Sequence, residues 1–400
     1  MAKVLADGIA AAMGNSSWIR RMFEAGAELR RERGAENVFD FSLGNPDLPP
    51  PPEAAAALRG LADALGEPRA LGYPSNAGWM PFREALAARL AAEQNAPGLE
   101  ARHVIASCGA AGALVSFFRA VLNPGDEVVV PAPYFVEYGS YCGHFGGRLV
   151  TVATNPETFD LDLAALEAAI TPRTRAILFN SPNNPTGCVY PEATVAALAA
   201  LVNRVNEGRE RPVFLLSDEP YRFLTYGGAK VAPVLDKSPF AVVLGSFSKS
   251  LSLAGERVGY LAASPAMPGA DAFLAGVTLT TRTLGFVNAP IVGQKLAARL
   301  LGCGIDLKIY EERRAKMLAV LDAAGLEYAR PQGAFYVFPK TPGGDDVKFV
   351  GHLMKHGVLA VPGSGFGMTG HMRLSYSVET DVIERSAGAF KRAVESFPGI

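Results

Sequence analysis

Cysteine is scarce. Only four occur in 400 residues, Cys108, Cys142, Cys188 and Cys303, far apart and with no C-x-x-C pair. That argues against a disulfide framework or a thiolate zinc site, and it suits a reducing cytosol. Charge is sparse too. Charged residues make up 19% of the chain and the formal net charge is −1. No Lys/Arg cluster marks a nucleic-acid surface or an anchor to an anionic membrane. No uninterrupted apolar run approaches the roughly 20 residues that span a bilayer. Asp7 interrupts what would be the apolar core of a signal peptide. The expectation is a cytoplasmic protein with neither nucleic acid nor membrane as partner.

What the chain does have is hydrophobic material, 49% of its residues, enough for a large core. Its length exceeds the usual single-core limit, so two domains are expected. Residues 16–33 read as a helix capped by Ser16 or Ser17. Phe39-Asp40-Phe41-Ser42-Leu43 reads as a short strand, and the run Pro49–Pro52 as a stiff first domain boundary. From about residue 80 to 265, short apolar runs alternate with helical patterns. The strand candidates are His103–Ser107, Glu127–Val130, Leu149–Ala153, Ala176–Asn180, Val213–Ser217, Ala241–Gly245 and Val258–Ala263. Several are continuous rather than alternating, as strands buried on both faces should be. Strands separated by helices predict crossover units and a largely parallel sheet, an α/β fold. A helical stretch over 306–324 then leads into an α+β region. Its strand candidates are Gly333–Pro339, Gly357–Val361 and Arg373–Ser377.

Ligands of an open parallel sheet bind beyond the carboxyl ends of its strands, so the residues that follow each strand matter most. Cys108-Gly109-Ala110-Ala111-Gly112 precedes a helix read over Ala113–Leu122. Backbone N–H groups there suit a phosphate, although a packing turn explains the glycines equally well. Tyr134 and Phe135 could stack on a flat heterocycle or simply fill the core. Asn180–Gly187 (NSPNNPTG) holds two X-Pro bonds that restrict its backbone, more than closing a loop requires. Asp218 ends a buried strand, where a carboxylate must pair with a cation or cap a helix. Lys249 lies among Ser246, Ser248 and Ser250, with Arg257 close by. A neighbouring cation lowers a lysine's pKa and frees its nucleophilic amine, and the hydroxyls with Arg257 could hold a phosphate. An ordinary surface lysine in a serine-rich loop is the competing reading.

Taken together, NSPNNPTG, SDEPY (Ser217–Tyr221), SFSKSLSLAGERVGY (Ser246–Tyr260) and RLSYS (Arg373–Ser377) resemble the signatures of class I/II aminotransferases. These are fold-type I pyridoxal-phosphate enzymes. Phe41–Pro52 and Tyr73–Gly78 fit as well, so the resemblance spans nearly the whole chain. It implies a large cofactor-binding domain over residues 49–295, with a mostly parallel central sheet flanked by helices. A smaller α+β domain would be built from 1–48 and 296–400.

By the same resemblance Lys249 would carry the cofactor as a Schiff base. Asp218 would bind the pyridine nitrogen, Tyr221 and Asn184 the ring oxygen, and Phe135 would stack on the ring. The backbone of Gly109, Ala110 and Ala111, with Ser246, Ser248 and Arg257, would hold the phosphate. Tyr73 would reach the phosphate of a partner subunit in a homodimer with shared active sites. Arg373 would clamp the substrate α-carboxylate, with Gly44 and Asn184 nearby. The implied reaction moves an amino group between an α-amino acid, aspartate or similar, and a 2-oxo acid by a ping-pong route. A carbon–sulfur β-lyase of the same fold is the nearest alternative, and a non-catalytic relative the next.

Some positions depart from the family pattern. Pro220 stands where an apolar residue with a free N–H is usual. The Gly109–Ala111 turn lacks polar side chains, so phosphate binding would lean on backbone groups. Arg282, and as a rival Arg20, are the candidates for a distal carboxylate. Gly363-Ser364-Gly365-Phe366-Gly367-Met368 resembles a dinucleotide loop but has methionine at the last glycine position. His352 and His356 have zinc-like spacing, yet Leu353 stands where a metalloprotease glutamate would be, so a solvated helix face is expected.

Overall fold

A computed structural model describes residues 4–14 and 18–398. Ser16 and Ser17, the expected caps, lie outside the described residues, as does the side chain of Arg20. The chain divides into two compact units. The larger comprises Pro46–Leu307 and Arg330–Ala334. The smaller takes the chain up to Asn45, Lys308–Ala329, and the chain from Phe335 onward.

The larger unit is built on a seven-stranded sheet. Across it run Val104–Ser107, Gly259–Ala263, Ala241–Ser246, Phe214–Asp218, Thr174–Asn180, Glu127–Ala132 and Arg148–Ala153. Each lies where a strand was expected. Gly259–Ala263 runs against its two neighbours, and the remaining pairings are parallel. The continuous apolar runs have their predicted cause: every residue of Val104–Ser107, Glu127–Ala132, Thr174–Asn180 and Phe214–Asp218 is buried. The edge strand Arg148–Ala153 is mostly open to solvent.

Helices cover the sheet. The helix Gly109–Val121 lays Leu114, Phe117 and Phe118 onto Leu216, Val242 and Leu244. Phe117 meets Phe214 edge-on at 5.3 Å, and Phe214 stacks on Phe273 at 5.2 Å. Burying each such ring contributes roughly 1.5–3 kcal/mol. This helix begins four residues earlier than its apolar pattern suggests. Gly-Ala-Ala-Gly has no large side chain to show periodicity, so the first turn is silent in the sequence. That first turn is the one at the sheet's carboxyl edge.

The smaller unit carries the helix Trp18–Arg33 and two small sheets. Phe39–Asp40 pairs in parallel with Val358–Leu359. Val361–Pro362, Met372–Ser375 and Tyr336–Val337 form an antiparallel sheet. Its strands are shorter than expected. The run 357–361 splits around Ala360 and serves both sheets, and Pro362, with no N–H to donate, cannot extend the ladder. His352 and His356 do not form a solvated face. Both are half-buried, their Nε2 atoms 3.1 and 3.3 Å from the Ser396 hydroxyl, and the Phe397 ring packs 5.4 Å from His352. Among the described residues no helix is long and apolar enough to cross a membrane, and no group of three His, Cys, Asp or Glu could hold a metal.

Candidate active site

Three neighbouring parallel strands end in Asn180, Asp218 and Ser246, and the register places Asn180 beside Asp218. The chemistry-bearing residues of the larger unit gather at this edge. Asn180 Nδ2 donates to the main-chain oxygen of Asp218 at 2.8 Å. Its Oδ1 accepts from the Asn184 N–H at 2.7 Å, which folds the NSPNNPTG loop back over the strand end. Within that loop Asn183 Oδ1 accepts from the Thr186 N–H and hydroxyl at 3.1 and 2.9 Å. Asn184 and Tyr221 are both buried. The loop's asparagines therefore act as internal turn-formers that present Asn184.

Asp218 is the electrostatic centre of the site. Its side chain is buried, and Tyr138 Oη donates to Oδ2 at 2.5 Å. Oδ1 is buried with no hydrogen-bond partner. Burial pushes the carboxyl up to about 7; the Tyr138 hydrogen bond opposes this and the Glu219 charge adds to it. A buried carboxylate oxygen without a donor is costly, and a heterocyclic N–H aimed at Oδ1 would remove that cost. The same contact pushes the Tyr138 phenol well above its ordinary range, with burial the larger cause.

Beside it lies an anion cradle. Gly109 opens the helix with φ +68°, and a Cβ there would lie 2.7 Å from Arg257 Nη2. A Cβ on Gly259 would lie 2.6 Å from the Gly109 carbonyl carbon. Only glycine at both positions lets the helix N-terminus and the guanidinium come this close. Arg257 itself adopts φ +51°, and its Nη1 donates to the Ala254 carbonyl at 3.0 Å. The first N–H groups of a 13-residue helix with an arginine alongside are groups that could hold a doubly charged anion. Ala110 and Ala111 lie in that first turn, Ser248 is buried and Ser246 half-buried. Lys249 is in the short helix Phe247–Ser250, which directly follows Ser246.

Phe135 is half-buried and meets Tyr138 edge-on at 5.5 Å, while Tyr134 stacks on Tyr138 at 6.5 Å. Tyr141 is pushed up to about 12, mainly by burial and then by Glu137 and Asp218, with Arg257 pulling the other way. Tyr141 thus senses both the carboxylate and the cradle. Sequence reasoning missed Tyr138 and Tyr141. Their only signal was helical spacing after Phe135, which reads as core.

It also missed what stands behind Asp218. Glu219 is buried, receiving hydrogen bonds from Ser217 Oγ at 2.8 Å, Arg222 Nη1 at 2.9 Å and Gln94 Nε2 at 3.0 Å. Arg222 also donates to the Glu93 and Val231 carbonyls. Tyr73 is apart from these residues in character, 89% exposed. Arg282 is exposed on the helix Ala270–Thr283.

In the smaller unit Arg373 is buried, and its Nη2 donates to the Ser42 carbonyl at 2.5 Å. Its guanidinium carbon lies 4.8 Å from the centres of the Tyr336 and Phe366 rings. A Cβ on Gly44 would fall 1.9 Å from Tyr336 Oη, so Gly44 is where the backbone gives way to that phenol.

These features fit pyridoxal phosphate: an unmet acceptor for its ring N–H, a glycine-cleared cradle for its phosphate, and an amine next to a hydroxyl-bearing strand end. The comparisons agree. A family model described as aminotransferase class I and II matches residues 36–390. The aspartate/prephenate aminotransferase of Thermus thermophilus is 33% identical over 372 residues, covering 92% of this chain and 93% of the relative. Bacillus subtilis aspartate aminotransferase is 32% identical, with 90% and 92% covered. An aminotransferase structure from Eubacterium rectale superposes with a TM-score of 0.94 at 35% identity, covering 99% of this chain and all of that one. The Thermus thermophilus aspartate aminotransferase solved with maleate gives 0.83 at 30% identity, with 94% and 97% covered.

Proposed function

This chain belongs to the class I and II aminotransferases and depends on pyridoxal phosphate, and from that premise we propose that Lys249 carries the cofactor, Asp218 binds its ring nitrogen and Arg373 holds the substrate's α-carboxylate. The observation that carries this assignment is the buried, unpartnered Oδ1 of Asp218. It lies on the strand that pairs directly, in parallel, with the one that ends in Ser246, three residues ahead of Lys249. When bound, pyridoxal phosphate supplies an electron sink for negative charge at the substrate's α-carbon.

The chain's own groups have the following work. Asp218, as a carboxylate, keeps a proton on the ring nitrogen, because opposite charges stabilise one another in a buried site. Tyr221 and Asn184 donate to the ring oxygen, and Phe135 stacks on the ring. The N–H groups of Gly109, Ala110 and Ala111, with Ser246, Ser248 and Arg257, hold the phosphate. The amine of Lys249, once free, moves the proton at the substrate's α-carbon. A guanidinium fork suits the α-carboxylate bidentately, and Gly44 and Asn184 are the further residues we assign to the substrate.

We further propose a homodimer in which the partner subunit's Tyr73 reaches the phosphate, an occupation that suits so exposed a phenol. Four free thiols among the described residues suit a reducing cytoplasm. The amino donor is aspartate or a similar dicarboxylic acid, as the relatives' names suggest, with Arg282 for the distal carboxylate.

The test is spectroscopic. The purified protein should show a visible cofactor band that borohydride abolishes and that Lys249→Ala lacks; a normal band in that variant refutes the assignment. Aspartate with 2-oxoglutarate should give oxaloacetate, whereas pyruvate and ammonia would mean elimination instead. Arg282→Ala should weaken dicarboxylic donors selectively, and equal loss across all donors would remove that role.

A further inference from the structure

The segment Gly363-Ser364-Gly365-Phe366-Gly367-Met368 is no dinucleotide loop, yet its shape is closely specified. A Cβ on Gly363 would fall 2.3 Å from the Met368 carbonyl oxygen and 2.8 Å from that of His371. The Gly363 N–H donates to His371 O at 2.8 Å, and the Met368 N–H to Gly363 O at 3.0 Å. Gly367 has φ +78°. Asp346, buried at the start of the helix Asp346–Lys355, pins the loop from below. Its Oδ2 accepts from the Ser364 N–H at 2.7 Å and its Oδ1 from the Gly370 N–H at 3.4 Å. What this delivers is the Phe366 ring, fully buried and 4.8 Å from the Arg373 guanidinium carbon. Phe338 supports that ring edge-on at 6.2 Å. Tyr336 offers a second ring at the same 4.8 Å.

An arginine has a long stem with many rotamers, and ordering it is costly. Aromatic faces attract the cation through the ring quadrupole. A ring stacked on the guanidinium face leaves the in-plane N–H groups available to a carboxylate. A carboxylate partner in the same place would hold the arginine too, but it would compete with the substrate.

We propose that Phe366 is a positioning residue for Arg373, fixed by the Asp346-pinned loop so that, with Tyr336, it holds the guanidinium edge toward the α-carboxylate of the amino acid. This rests on the reading of Arg373 as the carboxylate-binding residue. The clamp acts in binding, before any bond changes. Its loss therefore appears in affinity for every carboxylate substrate and leaves the turnover of bound substrate alone.

The experiment uses the holoenzyme with Phe366→Leu, which keeps the apolar volume and removes the ring face. Phe366→Tyr serves as the conservative rescue and Arg373→Lys as the reference. KM and kcat are read with aspartate, and the affinity for maleate, a dicarboxylate that cannot react, is read by spectral titration. Phe366→Leu should raise KM and the maleate Kd about tenfold while kcat stays within about twofold, and Phe366→Tyr should restore both. Unchanged KM and Kd in Phe366→Leu, when Arg373→Lys raises them, would overturn the clamp alone. Unchanged values in Arg373→Lys would overturn the carboxylate reading and the clamp with it. A fall in kcat and thermal stability without a KM effect would leave Phe366 merely structural and also overturn the clamp. Should Phe366→Leu not fold, Asp346→Asn, which loosens the loop and spares the ring, should raise KM in the same sense; no change there refutes the proposal.

Discussion

Above pH 3.8 Asp218 should destabilise the cofactor-free protein, and the size of that effect can be predicted. Burial pushes its carboxyl up to about 7 from an ordinary 3.8, a gap worth about 4 kcal/mol. Between these two values the folded chain holds a proton that the unfolded chain has lost. Stability tied to the neutral carboxyl is thus fully present below pH 3.8 and lost as the pH rises through about 7. Asp218→Asn removes the titration. Its amide oxygen can still accept from Tyr138, while its NH2 takes the place of the unpartnered Oδ1 at a cost of about 1–3 kcal/mol at every pH. The cofactor-free variant should therefore gain about 2–3 kcal/mol on the wild type between pH 5 and 8, and should be the more stable of the two at pH 8. Urea unfolding of both cofactor-free proteins at fixed ionic strength measures this, with equal m-values as the check on the comparison. Adding pyridoxal phosphate should flatten the wild-type pH dependence, since a ring cation then gives the carboxylate its partner. A stability difference that does not change with pH would refute the reasoning.

Two further outcomes follow from the geometry. Gly109→Ala forces a side chain into φ +68° and against Arg257 Nη2, costing about 1–2 kcal/mol from the backbone alone; it should lower cofactor retention on dialysis more than thermal stability. Glu219→Ala strands the half of a buried ion pair supplied by Arg222 and should lower the free energy of unfolding by about 3–5 kcal/mol, whereas Glu219→Leu with Arg222→Met should recover most of that loss in the same denaturation assay.

The larger unit was legible because its strands are buried on both faces, and runs such as Val128–Val130 and Ala241–Leu244 announce this without any help from periodicity. Asp218 and Lys249 stand out for a related reason: one ends such a run and the other lies three residues beyond the next, at the edge where ligands of parallel sheets bind. The start of the helix at Gly109 was not legible, since small residues carry no pattern. Tyr138 was hidden more deeply: its chemistry lies in one hydrogen bond across 80 positions of sequence, while its spacing says only that it is buried. In the smaller unit the strands are two to four residues long. They are held by contacts such as the Ser375 N–H to the Phe41 carbonyl at 2.8 Å, which local pattern cannot reveal. Phe366 belongs to a loop whose glycines resemble a dinucleotide loop that fails at Met368, and its packing against Arg373 leaves no mark in local pattern.

Gln94 has a bearing on when the protein becomes competent. Its amide donates to Glu219, 125 positions away, and accepts from the Val234 N–H, 140 positions away. The strand end that bears Asp218 is thereby fastened to the residue that closes the helix Met80–Glu93, made far earlier in the chain. Closing loops of that length is entropically costly and slow compared with forming the helices themselves. Neither bond can form until residues 219 and 234 have been made, so the support behind Asp218 is completed long after Gln94 itself is in place.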